Sequence, residues 1–469
     1  MNVLLVTPPF SEEERYGKLS AVGTLYPPLG LAYIAAVAEE AGHRVRVIES
    51  EALHYGYDEI YAEAEEFGPD IIGMPTFLNT IRRCFKLAGG FKLKLPKARI
   101  VLGGVQATLN TAESMAQQAV DFVIRGEGER AFRDLLAALE GNLSLSGVKG
   151  LVWRSDEGEV VYNESQPLIR DLDTLPLPAR HLFPMQRYHA SSQLRRNTLH
   201  LFTSRGCPFR CSYCTSHLTF GKTFRYHSSG RVIEEMLLLK EKFKAQGIQF
   251  YDETFTLHKE RVFELCDELI RRRIRIPWAC FTRVNLVDRE LLGRMREAGC
   301  YQIFYGVEAA SQRLLDLIKK DITIEQIQNA FRWTRRAGIE ALASFMIGLP
   351  TETVEESCAT IDLAIEIGAD YAQWQKTTPF PGTELFDICR RHGTILTEDW
   401  TKFTAWNELV YVTHGRTGED IMRIERAAFR RFYLRPGYLL SHIAMFLRLP
   451  PRQIYAMAQT AFKMAYLKQ

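Results

Sequence analysis

Two runs of alternating strand and helix segments, separated by a proline-punctuated connector, constrain the fold of this chain most strongly. The first run covers residues 1–140 and the second covers residues 196–398. Segments that alternate in this way form parallel sheets covered by helices, so we predict an α/β protein with a doubly wound, Rossmann-like first domain. The connector, residues 141–195, contains a small predicted hairpin at 148–162 and an extended linker, Leu172-Asp173-Thr174-Leu175-Pro176-Leu177-Pro178.

In the first run, the predicted strands end in loops rich in glycine, proline and threonine. Ligands bind doubly wound sheets at the carboxyl ends of the strands, so these loops are candidate binding residues. No G-x-G-x-x-G follows the first strand, which argues against a nicotinamide site. The candidates are Thr7, Pro8, Pro9, Pro75, Thr76, Gly103, Gly104, Val105, Gln106, Gly126, Glu127 and Gly128.

The second run contains six strand–helix units, fewer than the eight of a closed TIM barrel. Charged residues follow three of its strands, namely Glu253, Arg283 and Glu308. One such residue alone would be an ordinary solvated loop charge. Three of them at strand ends of one barrel predict a binding site at its mouth, where barrel chemistry is found.

Three of the nine cysteines, Cys207, Cys211 and Cys214, lie within eight residues on the loop that follows a short apolar strand. Thiolates favour zinc or iron–sulfur clusters. A structural zinc site takes four ligands, and no second cysteine pair lies nearby. Three thiolates would instead leave one iron of a 4Fe–4S cluster open to a substrate. The alternatives are a structural zinc site or three unrelated buried cysteines.

The spacing C-x3-C-x2-C, with Tyr213 just before the last cysteine, resembles that of the radical S-adenosylmethionine enzymes. The resemblance implies an open (β/α)6 partial barrel over residues 196–398. It also implies a 4Fe–4S cluster that binds S-adenosylmethionine and splits it to a 5′-deoxyadenosyl radical. The residues that it assigns to S-adenosylmethionine are Asp252 and Glu253 near the methionine amino group, Arg283 near the carboxylate, Glu308 near the ribose or amino group, Gly348 near adenine, and Tyr213 beside the cluster or adenine.

The glycine-rich loops of residues 1–140 resemble, as a set and in their order, the cobalamin-binding domain that precedes the radical domain in one large subfamily. Pro27-Pro28-Leu29-Gly30 belongs to the same resemblance, and Gly30 joins the candidate cobalamin residues. The D-x-H-x-x-G signature is absent, and Gln106 stands where many relatives have histidine. Either cobalamin binds with a weak or absent lower ligand, or the domain is degenerate and binds none.

The resemblance implies a cobalamin-dependent methyltransferase acting on an unactivated carbon. Two S-adenosylmethionine molecules would be used per turnover, one recharging cobalt and one making the radical. An external donor such as flavodoxin or ferredoxin would supply electrons, and the substrate would be a small, lipid-like or tetrapyrrole molecule. A radical cyclase or rearrangement enzyme of the same architecture remains open, as does a non-catalytic cobalamin carrier or sensor.

Composition places the chain among soluble globular proteins, because 46% of its 469 residues are hydrophobic and 25% are charged. The net charge of +3 is too small to indicate nucleic-acid binding. Nine cysteines and a start that reads as a strand, not as a signal peptide, predict a cytoplasmic protein.

Residues 399–469 depart from the alternation and predict a C-terminal helical region. Residues 418–469 carry nine Lys/Arg and three Asp/Glu, and 438–449 and 454–467 are apolar with basic flanks. Such a region forms either a helical cap on the barrel or a basic amphipathic surface in peripheral contact with a membrane. The sequence does not predict an oligomeric state.

Overall fold

The computed structural model of the chain describes residues 1–189, 197–441 and 459. Its N-terminal strands are β1 (Asn2–Val6), β2 (Arg44–Ile48), β3 (Ile71–Pro75), β4 (Arg99–Gly103), β5 (Phe122–Ile124), β6 (Leu151–Arg154) and β7 (Val160–Tyr162). They form one sheet in the order β2-β1-β3-β4-β5-β6-β7. The first five strands run parallel, and β6 and β7 extend the sheet as antiparallel neighbours.

Helices cover both faces of this sheet, as expected for a doubly wound domain. They are α1 (Glu12–Tyr16), α2 (Leu29–Glu40), α3 (Ser50–Leu53), α4 (Tyr57–Phe67), α5 (Ile81–Lys94), α6 (Val105–Leu109), α7 (Thr111–Ala116) and α8 (Gly128–Leu139). Successive side chains of a strand point to opposite faces. Accordingly, Val3 and Leu5 of β1 pack with α2 and α8, whereas Leu4 and Val6 pack with α4 and α5.

The hairpin that the sequence places in the connector is part of the first sheet. Its strand β6 pairs antiparallel with β5, with Phe122 opposite Trp153. Leu151 and Val152 are fully buried in the cores on the two faces. The pairing covers the edge of β5, which would otherwise expose unpaired backbone groups.

The strands of the second half are β8 (Thr198–Leu201), β9 (Ser204–Arg205), β10 (Arg225–Tyr226), β11 (Gly247–Phe250), β12 (Trp278–Thr282), β13 (Cys300–Glu308), β14 (Glu340–Ile347), β15 (Tyr371–Lys376), β16 (Gly393–Ile395) and β17 (Tyr411–Thr413). Six of them form the parallel sheet expected of a partial barrel, in the order β15-β14-β13-β12-β11-β8. β8 and β15 form the two edges of the sheet, so the barrel is open.

The helices of this half are α9 (Ser216–Thr219), α10 (Ser229–Lys242), α11 (Lys259–Arg271), α12 (Arg289–Glu297), α13 (Gln312–Leu317), α14 (Ile324–Arg336), α15 (Val354–Glu366), α16 (Glu384–His392), α17 (Gly418–Tyr433) and α18 (Pro436–Ser441). Side chains accept backbone N–H groups at the start of several of them, for example Asp288 at α12 and Thr353 at α15. Gly299 and Gly338 follow α12 and α14 with positive φ, as the sequence predicted.

The strands of the second sheet bury one face under helices and leave the other face concave. Leu199, Phe250, Cys280 and Tyr305 belong to the helix-covered core. The alternate positions, which include His200, Gln249, Phe281 and Phe304, therefore line the concave face.

The C-terminal region begins with a strand pair and becomes helical afterwards. β16 and β17 pair antiparallel, and α17 packs Ile421, Ile424, Ala428 and Phe432 into the barrel core. This placement agrees with the helical-cap alternative, and the short strand β17 precedes the helices of the predicted C-terminal region. The apolar segments 438–449 and 454–467 lie almost entirely outside the described residues. Within the part described, no helix combines the length and apolarity needed to cross a membrane.

Candidate active site

The three predicted cysteine ligands lie on one loop that leaves the second sheet through β9. Cys207, Cys211 and Cys214 are all free of disulfides. Gly206 opens the loop with φ +87°, and a Cβ on it would lie 2.3 Å from the carbonyl oxygen of Thr223. The loop is therefore held against the backbone of residue 223 at a distance that only glycine permits.

Replacing Gly206 with alanine is expected to destabilise the protein and lower the iron content of the reconstituted enzyme. The left-handed backbone alone costs alanine about 1–2 kcal/mol, and the Cβ contact adds to that cost. Gly158→Ala is the matched control, because Gly158 has φ +84° but its Cβ position has no neighbour within 4 Å among the described residues beyond the adjacent ones in the chain. Thermal unfolding and iron analysis of both variants measure the effect, and equal shifts would contradict the proposed contact.

Each cysteine sulfur contacts a polar group from a different segment. The Cys214 sulfur accepts from the Ser216 backbone at 3.4 Å, and the Cys211 sulfur lies 3.3 Å from Nη1 of Arg283. The Cys207 sulfur lies 3.8 Å from the hydroxyl of Thr254. Burial raises the pKa of Cys214 to about 11 and also raises the pKa of Cys207. The surrounding donors and the nearby guanidinium suit sulfurs that become thiolates on binding a metal.

The three thiols match the number of ligands that a 4Fe–4S cluster with one open iron takes from the protein. In a 4Fe–4S cluster each thiolate binds a different iron, so the cysteines need not converge on one point. A three-thiol loop with separate donors at each sulfur matches that arrangement.

Glu253 and Arg283 both face the cysteine loop, as their positions at strand ends predicted. Glu253 accepts a hydrogen bond from the hydroxyl of Ser216 at 2.9 Å, and burial raises its pKa. The guanidinium of Arg283 stacks on Phe209, with its central carbon 3.7 Å from the ring centre, and donates to the carbonyl of Lys320. Arg283 thus braces the cysteine loop itself, and its expected contact with a carboxylate stays a prediction.

Glu308 and Tyr213 meet at a lysine that sequence reasoning missed. The Tyr213 hydroxyl donates to Oε1 of Glu308 at 2.9 Å, and Nζ of Lys320 lies 2.7 Å from the same oxygen. Lys320 also donates to the Tyr213 hydroxyl at 2.9 Å. Lys320 follows a helix and not a strand, so the search for charges at strand ends could not identify it.

Asp252, which the sequence assigned to S-adenosylmethionine, has a structural role instead. Its carboxylate accepts from the backbone N–H groups of Thr203 and Ser204 at 2.6 and 3.0 Å and from the Thr203 hydroxyl. Arg261 lies 3.7 Å away as its buried counter-ion. Asp252 is 1% exposed, so these contacts fix the strand end that leads to the cysteines and leave Glu253 to face the site.

Gly348 makes its close contact with the chain itself. Its φ is +76°, its N–H donates to Glu352, and a Cβ would lie 3.1 Å from Ile421 of α17. The Cβ side of Gly348 therefore faces α17, and the expected close approach of its backbone to adenine stays a prediction.

Part of the predicted cobalamin set forms an open surface at the strand ends of the first sheet. Among the described residues other than the chain neighbours, no heavy atom lies within 4 Å of a Cβ built on Gly30 or Gly126, and the nearest to one on Gly103 is 3.9 Å away. Phe77, which follows Pro75 and Thr76, keeps 53% of its side chain exposed. An exposed aromatic ring next to backbone without side chains suits a large planar ligand.

Other members of the predicted cobalamin set are engaged by the protein. The Thr76 hydroxyl donates to the Gly103 carbonyl at 2.8 Å, and a Cβ on Gly104 would lie 3.0 Å from the Thr76 carbonyl. The Thr7 hydroxyl accepts from the Ser50 backbone at 2.9 Å. The carbonyl of Pro8 accepts from Ser50, and that of Pro9 accepts from Arg83. Val105 and the buried Gln106 belong to α6. A Cβ on Gly128 would lie 3.1 Å from Ile34.

Glu127 is the clearest correction to the cobalamin set, because its carboxylate joins the two halves of the chain. It binds Arg225 at 2.7 and 2.8 Å, Arg205 at 3.2 Å and the backbone N–H of Ile169 at 2.8 Å. The neighbouring Glu129 also pairs with Arg205. Glu127 and both arginines are less than 10% exposed. Buried carboxylates require such partners, so Glu127 is not available to a ligand.

The two candidate sites adjoin each other. α6, which begins directly after Gly104, contacts α9, which begins two residues after Cys214. The ion pairs of Arg205 hold the cysteine loop to the same side of the first domain. The strand-end face of the first sheet is therefore turned towards the cysteine loop.

Comparison with known proteins agrees with both sites. Residues 201–364 match the Radical SAM superfamily, and residues 19–136 match the B12 binding domain. The chain is 36% identical over 444 residues to an uncharacterised methyltransferase of Pyrococcus horikoshii, covering 94% of this chain and 95% of that protein. The chain belongs to the cobalamin-binding radical S-adenosylmethionine enzymes.

Other enzymes of this family are more distant. The chain is 29% identical to cytidylyl-2-hydroxyethylphosphonate methyltransferase of Streptomyces wedmorensis, covering 87% of this chain and 86% of that one. It is 28% identical to anaerobic magnesium-protoporphyrin IX monomethyl ester cyclase of Rubrivivax gelatinosus, covering 88% and 75%. The fold matches the cobalamin-dependent S-adenosylmethionine radical enzyme OxsB, with a TM-score of 0.75 and 17% identity over 99% of this chain and 71% of that one.

This radical S-adenosylmethionine enzyme uses a 4Fe–4S cluster, S-adenosylmethionine and cobalamin. The cysteine loop is the part of the chain that fits the cluster. The open strand-end surface around Gly103, Gly126 and Phe77 is the part that fits cobalamin.

Proposed function

We propose that this enzyme transfers a methyl group to an unactivated carbon of its substrate. The observation that carries the proposal is the 36% identity, over nearly the full length of both chains, to a relative named as a methyltransferase. A second methyltransferase matches most of both chains as well. The adjoining sites support the proposal, because a methyl donor and a hydrogen-abstracting group must both reach one substrate carbon.

The residues would divide the work as follows. Cys207, Cys211 and Cys214 would hold the cluster, and Glu253 and Glu308 would orient S-adenosylmethionine at its edge. When bound, the cofactors supply the methyl group and the radical that removes the substrate hydrogen. An external protein such as flavodoxin or ferredoxin would supply electrons.

We further propose that the substrate presents an apolar or ring-containing part to the concave face of the barrel. Four aromatic side chains, here called the aromatic belt, lie there in neighbouring strands or just beyond them: Phe202, Tyr251, Phe281 and Phe304. Their successive ring centres are 6.1, 5.0 and 4.5 Å apart. Tyr251 keeps 43% of its surface accessible, yet the surrounding protein raises its pKa, as expected for a ring lining an interior space.

Two polar side chains on the concave face, those of His200 and Gln249, are neutral. Burial lowers the pKa of His200 well below its usual range, and its Nδ1 has no partner among the described residues. Oε1 of Gln249 is also buried without a partner there. Neutral hydrogen-bonding groups among aromatic rings favour a lipid-like or tetrapyrrole substrate over a charged one.

The ratio of two by-products tests methyl transfer. The reconstituted holoenzyme is incubated anaerobically with reductant, methyl-deuterated S-adenosylmethionine and a lipid and small-molecule extract of the host cell. We expect S-adenosylhomocysteine and 5′-deoxyadenosine in roughly equal amounts, together with a deuterated product, because each turnover uses one S-adenosylmethionine for each purpose. Cys214→Ala is the control and should form no 5′-deoxyadenosine.

A radical cyclase is the second candidate, favoured by the likeness to the magnesium-protoporphyrin ester cyclase. It predicts 5′-deoxyadenosine without stoichiometric S-adenosylhomocysteine and without deuterium in the product. That outcome would replace the methyltransferase proposal.

A further inference from the structure

A buried lysine beside the cysteine loop forms a three-membered polar cluster. Nζ of Lys320 contacts Oε1 of Glu308 at 2.7 Å and the hydroxyl of Tyr213 at 2.9 Å, and that hydroxyl contacts the same Oε1 at 2.9 Å. The side chains of Lys320 and Glu308 are 6% and 8% exposed. Two opposite charges so deeply buried must stay paired, because removal of one leaves the other without compensation.

The backbone on both sides of Lys320 adopts an unusual conformation. The residues on either side, Lys319 and Asp321, both have φ +51°, a left-handed conformation that is unfavourable for residues other than glycine. The turn that carries Lys320 therefore contains two residues in an unfavourable backbone conformation. Strain of this kind persists where surrounding structure enforces it, commonly at functional sites.

Gly306 leaves the space that the ammonium occupies. A Cβ on Gly306 would lie 2.6 Å from Nζ of Lys320 and 2.7 Å from Oε1 of Glu308. Glu308 itself has φ +70° at the end of β13. Gly306 therefore leaves room for Nζ of Lys320, which comes from a separate turn and contacts the Glu308 carboxylate two residues further along β13.

The same turn also binds the cysteine loop. The backbone N–H of Ser212 donates to the carbonyl of Ile318 at 2.9 Å, and Arg283, which contacts Cys211, donates to the carbonyl of Lys320. Within the part of the chain that the structure describes, the Tyr213 and Lys320 contacts of the Glu308 carboxylate both fall on Oε1, and neither uses Oε2. Lys320 thus contacts both groups: its carbonyl accepts from Arg283 beside the cysteine loop, and its Nζ pairs with the Glu308 carboxylate.

We propose that Lys320 is a positioning residue for S-adenosylmethionine. It orients Glu308 so that Oε2 accepts a hydrogen bond from the ribose hydroxyls or the amino group, and it ties that carboxylate to the cysteine loop through Tyr213. The inference rests on the radical S-adenosylmethionine part of the proposed function and not on methyl transfer.

Binding of S-adenosylmethionine to the reduced, reconstituted enzyme tests the proposal. We expect Lys320→Met to weaken binding roughly 10- to 100-fold, the range for loss of a hydrogen bond involving a charged group. The change that S-adenosylmethionine causes in the electron paramagnetic resonance spectrum of the cluster should shrink to the same extent. Gly306→Ala should weaken binding by a different route, because it displaces Nζ.

Two comparisons separate positioning from folding. Lys319→Met is the matched control, because Nζ of Lys319 pairs at the surface with Glu384, where both side chains are nearly half exposed. The double variant Lys320→Met with Glu308→Gln removes both buried charges, and we expect it to recover thermal stability but not S-adenosylmethionine affinity. Iron content should equal that of the wild type in all variants.

Wild-type affinity and an unchanged spectrum in Lys320→Met would overturn the proposal, as would recovery of affinity in the double variant. Failure of the methyltransferase proposal looks different, because it appears as missing label in the product while the wild type still binds and cleaves S-adenosylmethionine.

Discussion

Replacing Cys214 with alanine is expected to reduce 5′-deoxyadenosine formation to the level of a protein-free control. The cysteine loop offers three thiols, and the loss of one leaves two ligands for a cluster that needs three to keep a single iron open. The backbone N–H of Ser216, the Thr254 hydroxyl and the Arg283 guanidinium, which contact the three sulfurs, do not replace a thiolate as an iron ligand.

Iron and sulfide analysis after anaerobic reconstitution, together with chromatography of the nucleoside products, measures this effect. Cys358→Ala is the matched control, since Cys358 is a half-buried free thiol on α15 and not on the loop. It should retain wild-type iron and activity. Retention of a full cluster by Cys214→Ala would contradict the assignment of the loop.

Replacing Glu127 with alanine is expected to lower the free energy of unfolding by about 3–5 kcal/mol, the range for breaking a buried ion pair. The substitution removes the carboxylate that pairs with the buried Arg225, removes the second carboxylate partner of Arg205, which keeps Glu129, and leaves the N–H of Ile169 without its acceptor. Thermal unfolding of the protein without cofactors measures the effect.

Glu164→Ala is the control, because its ion pair with Lys149 is largely exposed and is worth about 0–1 kcal/mol. If Glu127 bound cobalamin, as its place after a strand suggested, its replacement would weaken cobalamin binding and leave the stability of the cofactor-free protein unchanged. That result would restore the assignment made from the sequence.

Local spacing explains what could be predicted. The cysteine loop could be predicted because its three ligands lie within eight residues. The two sheets could be predicted because the periodicities of strands and helices are local. The strand-end loops of the first domain were found for the same reason. Their roles were harder to assign, since Gly103, which borders open space, and Gly104, which packs on Thr76, look identical in sequence.

Long-range pairing explains what could not be predicted. Glu127 meets Arg225 across 98 positions, and Tyr213 meets Lys320 across 107. No periodicity marks such partners. Asp252 and Glu253 are neighbours of the same charge, and only the placement of Arg261 and the Thr203 backbone decides which one is used internally. The pairing of β6 with β5 was missed because a hairpin predicts its own turn but not its neighbour.

The ion pairs of Arg205 have a consequence for building chimeric enzymes. Arg205 lies two residues before the first cluster cysteine, yet its carboxylate partners belong to the cobalamin-binding domain. A cobalamin-binding domain exchanged from a relative must therefore bring carboxylates at both of these positions, or the cysteine loop inherits an uncompensated buried cation. A chimera should therefore exchange the cobalamin-binding domain together with β9 and β10. A crossover in the linker between the two sheets would take the carboxylates from one parent and the arginines from the other.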